Sequence, residues 1–393
     1  MNGIIDEFRL PEVNSSIIKV VGVGGGGSNA VNHMYMQNIS DVSFVICNTD
    51  DQALKSAAVP TKIQIGKDGL GAGNRPTIAQ EAAESSREEI ENMFNDGTRM
   101  TFITAGMGGG TGTGAAPVVA AIAKEMGILT VGIVTIPFIF EGKKKILQAL
   151  DGIIEMSKNV DALLVIHNDK LRTIYPDLDL TNAFKKADNV LTDAARGIAE
   201  IITQKGHINV DFADVSTIMR NGGVAVMNSG TAEGEKRISN AINDALNSPL
   251  LNDNDIHKSK KILLNFYCSE SNPVYMKEVD EINEFMDKMG DDIEVIWGVN
   301  YDNSLGDAVK VTLLATGSDM DIIPHELQDD PKFSGKVNNR TANTDPKSDW
   351  MEELYGKGIN SGKSNKIFTL KDIENDDNIL LEMESVPAYK RIK

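Results

Sequence analysis

The chain has 393 residues, of which 41% are hydrophobic, and its 39 basic and 57 acidic side chains give a net charge of −18. This length predicts two domains with an additional segment, and the apolar fraction excludes wholesale disorder. A chain with this net negative charge is poorly suited to bind nucleic acid by overall electrostatic attraction, or to lie unaided on an anionic membrane.

The cysteines and the apolar stretches indicate a cytoplasmic protein. Cys47 and Cys268 are far apart in sequence and form neither a disulfide framework nor a CxxC zinc motif. Residues 1–13 mix acidic and basic side chains without an apolar core, so no signal peptide is expected. The longest uncharged apolar stretches, 115–123 and 128–140, are too short to cross a bilayer as a helix, so no direct membrane insertion is predicted.

Residue 17 opens a long region in which short β-branched runs alternate with longer amphipathic stretches. The predicted strands are residues 17–23, 42–47, 61–65, 100–105, 129–136 and 162–166. The predicted helices between them are 29–36, 78–94, 115–125 and 144–157. This alternation, with near-continuous Val/Ile strands, predicts an α/β fold whose parallel sheet is covered by helices on both faces.

The alternation ends at a long helical pattern, residues 181–203. Its apolar residues recur at i, i+3, i+4 and i+7 and cover more than one face, which favours a central helix joining two domains. A second, smaller α+β unit is predicted after it. Its elements are residues 224–227, the helix-like stretch 233–246, and strands 261–267, 293–299 and 308–315.

Composition changes again after Gly317. Residues 319–377 are rich in Asp, Asn, Lys, Ser and Gly without periodicity, which is typical of a flexible tether. Residues 379–393 regain apolar side chains and end in a basic cluster. This composition favours a partner-binding peptide over a frayed terminus, because a flexible tether implies that a functional segment is attached at its end.

The first glycine loop, residues 22–29, follows a predicted strand. It fits G-x-G-x-x-G through Gly22, Gly24 and Gly27, a pattern that lets backbone N–H groups approach a phosphate. Alone the pattern is weak. It fits a dinucleotide site with Asp41 or Asp50 binding the ribose, and it equally fits a tight strand–helix turn.

The second glycine loop, residues 106–114, is more informative. Six of its nine residues are glycine, which a purely structural turn would rarely contain because each glycine loses conformational entropy on folding. Thr111 and Thr113 add hydroxyls, and the following helix adds its positive end, so a phosphate site is predicted. Neither loop contains the P-loop motif G-x-x-x-x-G-K-[ST]. The one candidate for that motif elsewhere, Gly362-Lys363-Ser364, has Lys357 where the motif requires its first glycine.

The second glycine loop, taken with residues 209–215, resembles the FtsZ family of tubulin-like bacterial cell-division GTPases. The resemblance covers residues 17–317 and the terminal peptide. It implies a tubulin-like α/β fold in which a parallel-sheet GTP-binding domain is joined by a long central helix to a smaller α+β domain, followed by a disordered tail. The implied divisions are an N-terminal extension (1–16), the GTP-binding domain (17–180), the central helix (181–205), an activation domain (206–317), a linker (318–379) and a partner-binding peptide (380–393).

The resemblance implies GTP or GDP, with Mg²⁺, as the bound cofactor and names no metal ligand in the protein. Residues 48–50 match the family's second nucleotide loop, and residues 69–73, here called the third glycine loop, match the loop that senses the γ-phosphate. The implied contacts are Gly24, Gly25, Gly26 and Asn29; Ala72 and Gly73; Gly108, Gly109, Gly110, Thr111, Gly112 and Thr113; Glu141 and Lys145; and Asn168, Phe184 and Asp188.

Within that set the base and ribose contacts have specific roles. Asn29 and Asp188 would bond guanine, Phe184 would stack on it, and Glu141 would hold the sugar hydroxyls. From the residues alone, Phe184 would be a core side chain, Asp188 a solvated one and Asn168 a helix cap. The chain departs from the common family pattern at four places: Lys145 instead of arginine, Asn74-Arg75, Ser28 and His167.

The candidate catalytic residues are Asp211, Asp214 and Asn209. The two acids lie three apart at the start of the predicted helix 212–220, so their carboxylates can face one direction. They follow a central helix about 35 Å long, which predicts that one subunit does not bring them to its own phosphates. The resemblance implies that they position water in the site of the next subunit of a head-to-tail filament, while Asn209 helps to build their loop. The same acids also fit an N-cap and a first-turn position, roles compatible with catalysis.

The implied partners are further copies of the chain and division-site adaptor proteins, which would bind the terminal peptide around Pro387-Ala388-Tyr389, and the implied location is the cytoplasm at mid-cell. Two rival functions stay open. One is an NAD-dependent dehydrogenase based on the first glycine loop, and the other is a filament that binds nucleotide without turnover, against which the intact pair of acids argues.

Overall fold

The computed structural model describes residues 16–247 except 38, 40 and 205, and then residues 259–289, 293–317 and 346–356. The predicted N-terminal extension, except residue 16, and the terminal peptide 380–393 lie outside the described residues. The chain divides into two compact units, Met1–Trp350 and Met351–Lys393. The sheet and both hydrophobic cores described below belong to the first unit.

Within the described residues, ten strands form one sheet in the order β3-β2-β1-β4-β5-β6-β7-β10-β8-β9. They are β1 (Ile18–Val23), β2 (Val42–Asn48), β3 (Thr61–Gln64), β4 (Met100–Gly106), β5 (Leu129–Ile136), β6 (Ala162–His167), β7 (Gly223–Ala232), β8 (Lys261–Cys268), β9 (Glu294–Tyr301) and β10 (Val309–Thr316). The first seven strands in this order are parallel, β10 runs antiparallel to both β7 and β8, and β9 is parallel to β8.

Helices connect these strands in the α/β alternation that the sequence predicts. They are α1 (Gly24–Met36), α2 (Asp51–Ser56), α3 (Pro76–Ser85), α4 (Arg87–Phe94), α5 (Thr111–Glu125), α6 (Lys143–Asn159), α7 (Asn168–Ile174), α8 (Leu180–Thr203), α9 (Phe212–Met219), α10 (Arg237–Leu246), α11 (Met276–Met289) and α12 (Pro346–Tyr355). No helix of the described residues is long and apolar enough to cross a membrane.

The predicted strands are confirmed, and their burial explains why the sequence revealed them. Every residue of β1 and of β5 is buried, as expected for parallel strands covered on both faces. The helix predicted at 78–94 is instead two helices, α3 and α4, separated by Ser86. The Ser86 hydroxyl accepts a hydrogen bond from the Gly66 amide at 3.0 Å, which holds the turn against the loop after β3.

One strand, β7, belongs to both halves of the sheet. Its first residues, Gly223 to Ala225, pair with β6, and Val226 to Ala232 pair with β10. The central helix α8 lies against this strand as well, because a Cβ atom on Gly197 would overlap the side chain of Met227. The two predicted domains therefore share a continuous sheet. One hydrophobic core lies wholly in the second half, and the other extends from the first half to Leu263 of β8 and Leu314 of β10.

In the second half, α10 begins at Arg237, four residues later than predicted, and α11 was not predicted. A buried ion pair joins these two helices, with Arg237 Nε 2.8 Å from Glu278 Oε1. The same guanidinium donates to the Pro273 carbonyl at 2.8 Å. Helix α12 also differs from the sequence analysis, which expected no regular structure between residues 318 and 379.

Candidate nucleotide site

The predicted nucleotide residues gather at one edge of the sheet. The first glycine loop follows β1, the second follows β4, residues 137–142 follow β5, and Asn168 follows β6. These four strands are neighbours and parallel, so their carboxyl ends meet at the same edge. Ligands of open α/β sheets bind in the crevice outside these carboxyl ends.

The first and second glycine loops pack directly on one another. Gly24 has φ +73°, and a Cβ atom there would lie 2.7 Å from the Gly112 nitrogen, so only glycine fits. A Cβ on Gly26 would lie 3.2 Å from the Gly106 Cα. Gly25 has open space around its Cβ position, and Asn29, one helical turn later, is exposed. A ligand can therefore reach both.

The amino end of α5 points its backbone amides into this crevice. The helix begins at Thr111, four residues earlier than predicted, and within the described residues no side chain caps it. Its first N–H groups thus remain available to an anion at the positive end of the helix. Thr113 Oγ1 accepts the Gly108 amide at 2.9 Å, and Thr111 Oγ1 lies 2.7 Å from Thr49 Oγ1.

The third glycine loop closes over the second. The Gly71 amide donates to the Thr49 carbonyl at 2.9 Å, which ties the third loop to residues 48–50. A Cβ on Gly110 would lie 3.0 Å from Ala72 Cβ. Ala72 and the adjacent Gly73 are therefore next to the second glycine loop, while Leu70, at the tip, is 89% exposed.

Gln148 is a site residue that sequence reasoning missed. From α6 its Nε2 donates to the Gly109 carbonyl at 2.8 Å and to the Gly108 carbonyl at 3.1 Å. By binding the carbonyls of the second glycine loop, Gln148 fixes the direction of its peptide groups. A glutamine on an amphipathic helix carries no distinguishing pattern, so the sequence offered no signal for it.

The predicted ribose residues already contact one another. Glu141 Oε1 accepts the Phe138 amide at 3.0 Å, and Glu141 Oε2 lies 3.3 Å from Lys145 Nζ. Asp169, which was not singled out for the site, accepts the Ile139 amide at 3.2 Å and so joins the loops after β5 and β6. A sugar hydroxyl would share the Glu141 carboxylate with Lys145.

Two of the predicted base contacts, Phe184 and Asp188, and the predicted nucleotide contact Asn168 supply an aromatic ring and two acceptors. Phe184 is 40% exposed and meets Phe138 edge-to-face at 5.2 Å between ring centroids. Asn168 is 5% exposed, and its Oδ1 has no hydrogen-bond partner among the described residues. Burial raises the pKa of Asp188 to about 6. An unpartnered amide oxygen and a partly desolvated carboxylate suit a ligand that donates N–H groups.

Residues 209–214, here called the acidic loop, form a reciprocal cap at the start of α9. Asp211 Oδ1 accepts the Ala213 amide at 2.7 Å and the Asp214 amide at 3.1 Å, while Asp214 Oδ2 accepts the Asp211 amide at 2.9 Å. Asn209 Oδ1 accepts the Gly206 amide at 2.6 Å. The capping geometry expected for these acids is therefore confirmed, and one oxygen of each carboxylate lies outside these capping bonds.

The acidic loop lies at the opposite end of β4 from the second glycine loop. Arg99, which immediately precedes β4, sits over the Phe212 ring at 4.6 Å. The second glycine loop begins where β4 ends, at Gly106. A strand of this length spans about 23 Å at ~3.3 Å per residue. Within one chain the two parts of the predicted site are separated, as the length of α8 predicted.

The described residues include no group of three or more His, Cys, Asp or Glu side chains that could hold a metal ion. The polar atoms of the candidate site are instead backbone amides, hydroxyls and a few isolated carboxylates and amides. Such a donor set fits the phosphates, sugar and base of a nucleotide.

Two family models match the chain. The model described as Tubulin/FtsZ family, GTPase domain, matches residues 17–176. The model described as FtsZ family, C-terminal domain, matches residues 223–319. The second match begins at the start of β7, the strand shared by both halves of the sheet, and helices α8 and α9 lie between the two matches.

Known proteins and solved structures agree with these matches. The chain is 48% identical over 390 residues to the cell division protein FtsZ of Porphyromonas gingivalis, covering 95% of this chain and 85% of that protein. It is 44% identical to the empty FtsZ dimer of M. jannaschii, with a TM-score of 0.70 over 76% of this chain and 88% of that one. The GDP-bound CetZ1 monomer of Haloferax volcanii, 20% identical, matches in fold with a TM-score of 0.68 over 79% of this chain and 97% of that one.

Proposed function

This chain belongs to the FtsZ family of tubulin-like cell-division GTPases, and from that membership we propose that it binds and hydrolyses GTP as a head-to-tail filament at the mid-cell division site. The observation that carries the proposal is the convergence of three glycine loops on the uncapped amino end of α5. Backbone amides at a helix amino end favour phosphate oxygens, which supports a triphosphate site at this edge.

The dehydrogenase alternative is disfavoured because residues 17–176, which include the first glycine loop, match the model of a GTPase domain. Asp50 is occupied as the N-cap of α2, where its Oδ1 accepts the Gln52 amide at 2.9 Å and the Ala53 amide at 3.2 Å. Asp41 precedes β2 and so lies at the edge of the sheet away from the glycine loops. Asp50, by contrast, follows β2 at the same edge as the first glycine loop, so its position alone does not decide between the two functions.

In the proposed reaction, water attacks the γ-phosphorus, the bond to the β–γ bridging oxygen breaks, and GDP and phosphate leave. The free carboxylate oxygens of Asp211 and Asp214 from a neighbouring subunit would accept hydrogen bonds from this water and orient it. Mg²⁺ bound to the phosphates would supply charge neutralisation. Gln148 and the α5 amides would hold the phosphates through the second glycine loop.

Sharing the site between subunits follows from the separation of its parts along β4. A heterologous contact that places the acidic loop of one copy on the glycine loops of the next does not close, and it therefore produces a filament. Exposed apolar side chains at both edges support such a contact: Leu70 and Phe140 beside the glycine loops, and Ile208 beside the acidic loop. The relative of 44% identity from M. jannaschii is a dimer in its solved structure.

GTP should bind more tightly than ATP, and this preference should fall as the pH drops through about 6, the raised pKa of Asp188. Guanine donates its N1–H and amino group to the ionised carboxylate, and protonation removes that acceptor. Below pH 6 the ratio of GTP to ATP affinity should therefore decline about tenfold per pH unit. Competition titrations from pH 5 to 8 measure this ratio, and using ATP as the reference cancels the titration of the phosphates themselves.

Asp188→Asn is the matched control, because it keeps the shape of the side chain and removes its charge. The variant should show a weak preference for GTP that no longer changes with pH. Equal affinity of the unaltered protein for GTP and ATP at pH 7.5 would contradict the guanine assignment.

We further propose that residues 380–393, which lie outside the described residues, bind adaptor proteins of the division site. The segment combines apolar anchors, Leu381, Val386 and Tyr389, with flanking charges that can set its register in a partner's groove. Many such peptides along one filament would sum weak single contacts into firm attachment.

Deleting residues 380–393 should leave polymerisation and GTP turnover within about twofold of the full chain, because the deleted segment contributes none of the nucleotide or acidic-loop residues. Recruitment of filaments to vesicles that carry the adaptor should be lost. Sedimentation, phosphate release and vesicle co-flotation measure the three properties. Loss of polymerisation in the purified deletion variant would place the peptide in the folded body instead.

A further inference from the structure

Helix α12 lies within the segment that the sequence analysis predicted to be a flexible tether. It has ten residues, and an isolated helix of that length is marginal in water. Its Trp350 is nevertheless only 2% exposed. A ten-residue helix cannot bury an indole by itself, so Trp350 must be covered by other parts of the protein.

The contact that locates α12 is an ion pair with α6. Lys347 Nζ bonds Asp151 Oδ1, and the Lys347 side chain is only 12% exposed. Trp350 follows Lys347 by three residues, which places both side chains on one face of the helix. The buried face of α12 therefore includes the side chain that pairs with α6.

Asp151 lies on the rim of a groove of about 1180 Å³ between α3, α5 and α6. Pro117, Val118 and Leu147 give this groove an apolar floor, and Gln80, Glu84 and Glu155 also line it. The groove carries both signs of charge, because Arg87, Lys143 and Lys144 line it together with Glu84, Asp151 and Glu155, and the charge of Lys347 is matched locally by Asp151. A helix face that offers a lysine and an indole suits a surface on which apolar side chains lie beside a carboxylate such as Asp151.

We propose that α12 is a docking helix, by which the tail is fastened to the GTP-binding half of its own subunit at the α6 rim of this groove. The occupant is the chain's own segment because 29 residues, 317–345, connect it to β10. The tether predicted from the sequence for this segment would span roughly 30 Å, which suffices to reach the same subunit.

Docking shortens the free part of the tail, a consequence that rests on the proposed adaptor-binding function. The predicted tether of 62 residues (318–379) becomes one of 23 residues (357–379) measured from the end of α12. Its r.m.s. reach falls from roughly 45 Å to roughly 27 Å. The terminal peptide is then about fourfold more concentrated near the GTP-binding half, since effective concentration falls as the −3/2 power of tether length.

Tryptophan fluorescence tests the docking directly, because the chain has only two tryptophans, Trp297 and Trp350. In full-length protein carrying Trp297→Phe, Trp350 should emit at shorter wavelength and be quenched by acrylamide several-fold more slowly than in a peptide of residues 346–355. Asp151→Lys and Lys347→Asp should each move the quenching toward the peptide value, and combining them should restore protection. Glu88→Lys, an equal charge change on the exposed face of α4, is the control and should have no effect.

Hydrogen exchange on the otherwise unaltered full chain gives an independent measurement, in case Trp297→Phe disturbs the second half. Amides of residues 346–355 should be protected about tenfold or more over the free peptide, and Trp350→Ala should abolish that protection. Peptide-like quenching together with peptide-like exchange in the full chain would overturn the proposal.

The same measurements in GDP, across a range of protein concentrations, separate docking from the proposed enzymatic function. Protection that is independent of concentration supports docking within one subunit, whereas protection that appears only on assembly assigns the helix to a neighbouring copy and overturns the proposal. Asp211→Asn should leave α12 protected. Failure of GTP hydrolysis and failure of docking would thus be observed separately.

Discussion

Replacing Asp211 by asparagine should lower GTP turnover by at least about 10²-fold while nucleotide affinity stays within about threefold, because the variant loses the carboxylate that orients water. Asparagine caps a helix as well as aspartate does, so α9 and its loop should keep their structure. Asp211→Ala also loses the hydrogen bonds to Ala213 and Asp214, which costs about 1 kcal/mol of stability. Comparing the two variants separates the charge from the cap.

Phosphate release measured against protein concentration shows whether the site is shared. Turnover per subunit of the unaltered protein should rise from near zero above a critical concentration, because a lone subunit keeps its acids at the far end of β4. A dilute monomer with full activity would rule out the shared site.

Mixing two inactive variants provides the sharper control. Asp211→Asn retains an intact nucleotide site, and a variant that cannot bind GTP retains its acids. In an equal, random mixture about a quarter of the interfaces pair a good nucleotide site with good acids, so activity should return to roughly that fraction. A mixture no more active than its components would contradict catalysis between subunits.

Gly109→Ala should weaken GTP binding roughly 10- to 100-fold without destabilising the fold, since a blocked hydrogen bond to a charged phosphate is worth about 1.5–3 kcal/mol. Gly109 has an ordinary negative φ, and its Cβ position meets no atom within 4 Å. The empty space is where we place the phosphates. Nucleotide titration should show the loss of affinity, and the melting temperature of the nucleotide-free protein should be unchanged.

The neighbouring Gly108→Ala is the contrasting control. Gly108 has φ +95°, and a Cβ there would lie 2.9 Å from the Lys145 carbonyl and 3.0 Å from Pro137 Cγ. This variant should lower the melting temperature as well as the affinity, because alanine strains the backbone and collides with its surroundings. If Gly109→Ala binds GTP normally, the phosphates do not lie against this glycine.

Local patterns in the sequence were enough to predict most of the first half of the fold. The parallel strands are continuous apolar runs because both of their faces are buried, and that composition is visible without any tertiary information. The capping of α9 was equally readable, since Asp211 and Asp214 interact across only three residues. The predicted strand at 129–136 has the bounds of β5.

Features that depend on distant partners could not be predicted in the same way. Gln148 acquires its role only because the fold brings α6 against the second glycine loop. The break between α3 and α4 depends on a bond from Gly66, 20 residues before Ser86. Helix α12 lacks an apolar period long enough to be recognised, and its buried residues depend on contact with the rest of the protein.

Helix α11 is a different case, because its signal was present and was missed. Val279, Ile282, Phe285 and Met289 follow a helical spacing, and Ile282 and Phe285 are buried in the second core. The many charged residues between them gave the stretch the composition of a loop. Counting matches to a helical template would have found it, whereas composition did not.

The short pairing between β6 and β7 is where the two halves of the subunit should bend relative to one another. Strand β7 pairs with β6 through three residues, fewer than any other neighbouring pair of described strands, while its remaining seven pair with β10. A torque that rotates the second half of the sheet against the first would therefore strain this short pairing first, because the other strand pairs are held by more residues. Helix α8 packs on Met227 of β7, and this packing should resist the rotation. Small changes in side-chain volume between α8 and β7 would then change the angle between the two halves of the sheet. That angle would in turn set the curvature of the proposed filament.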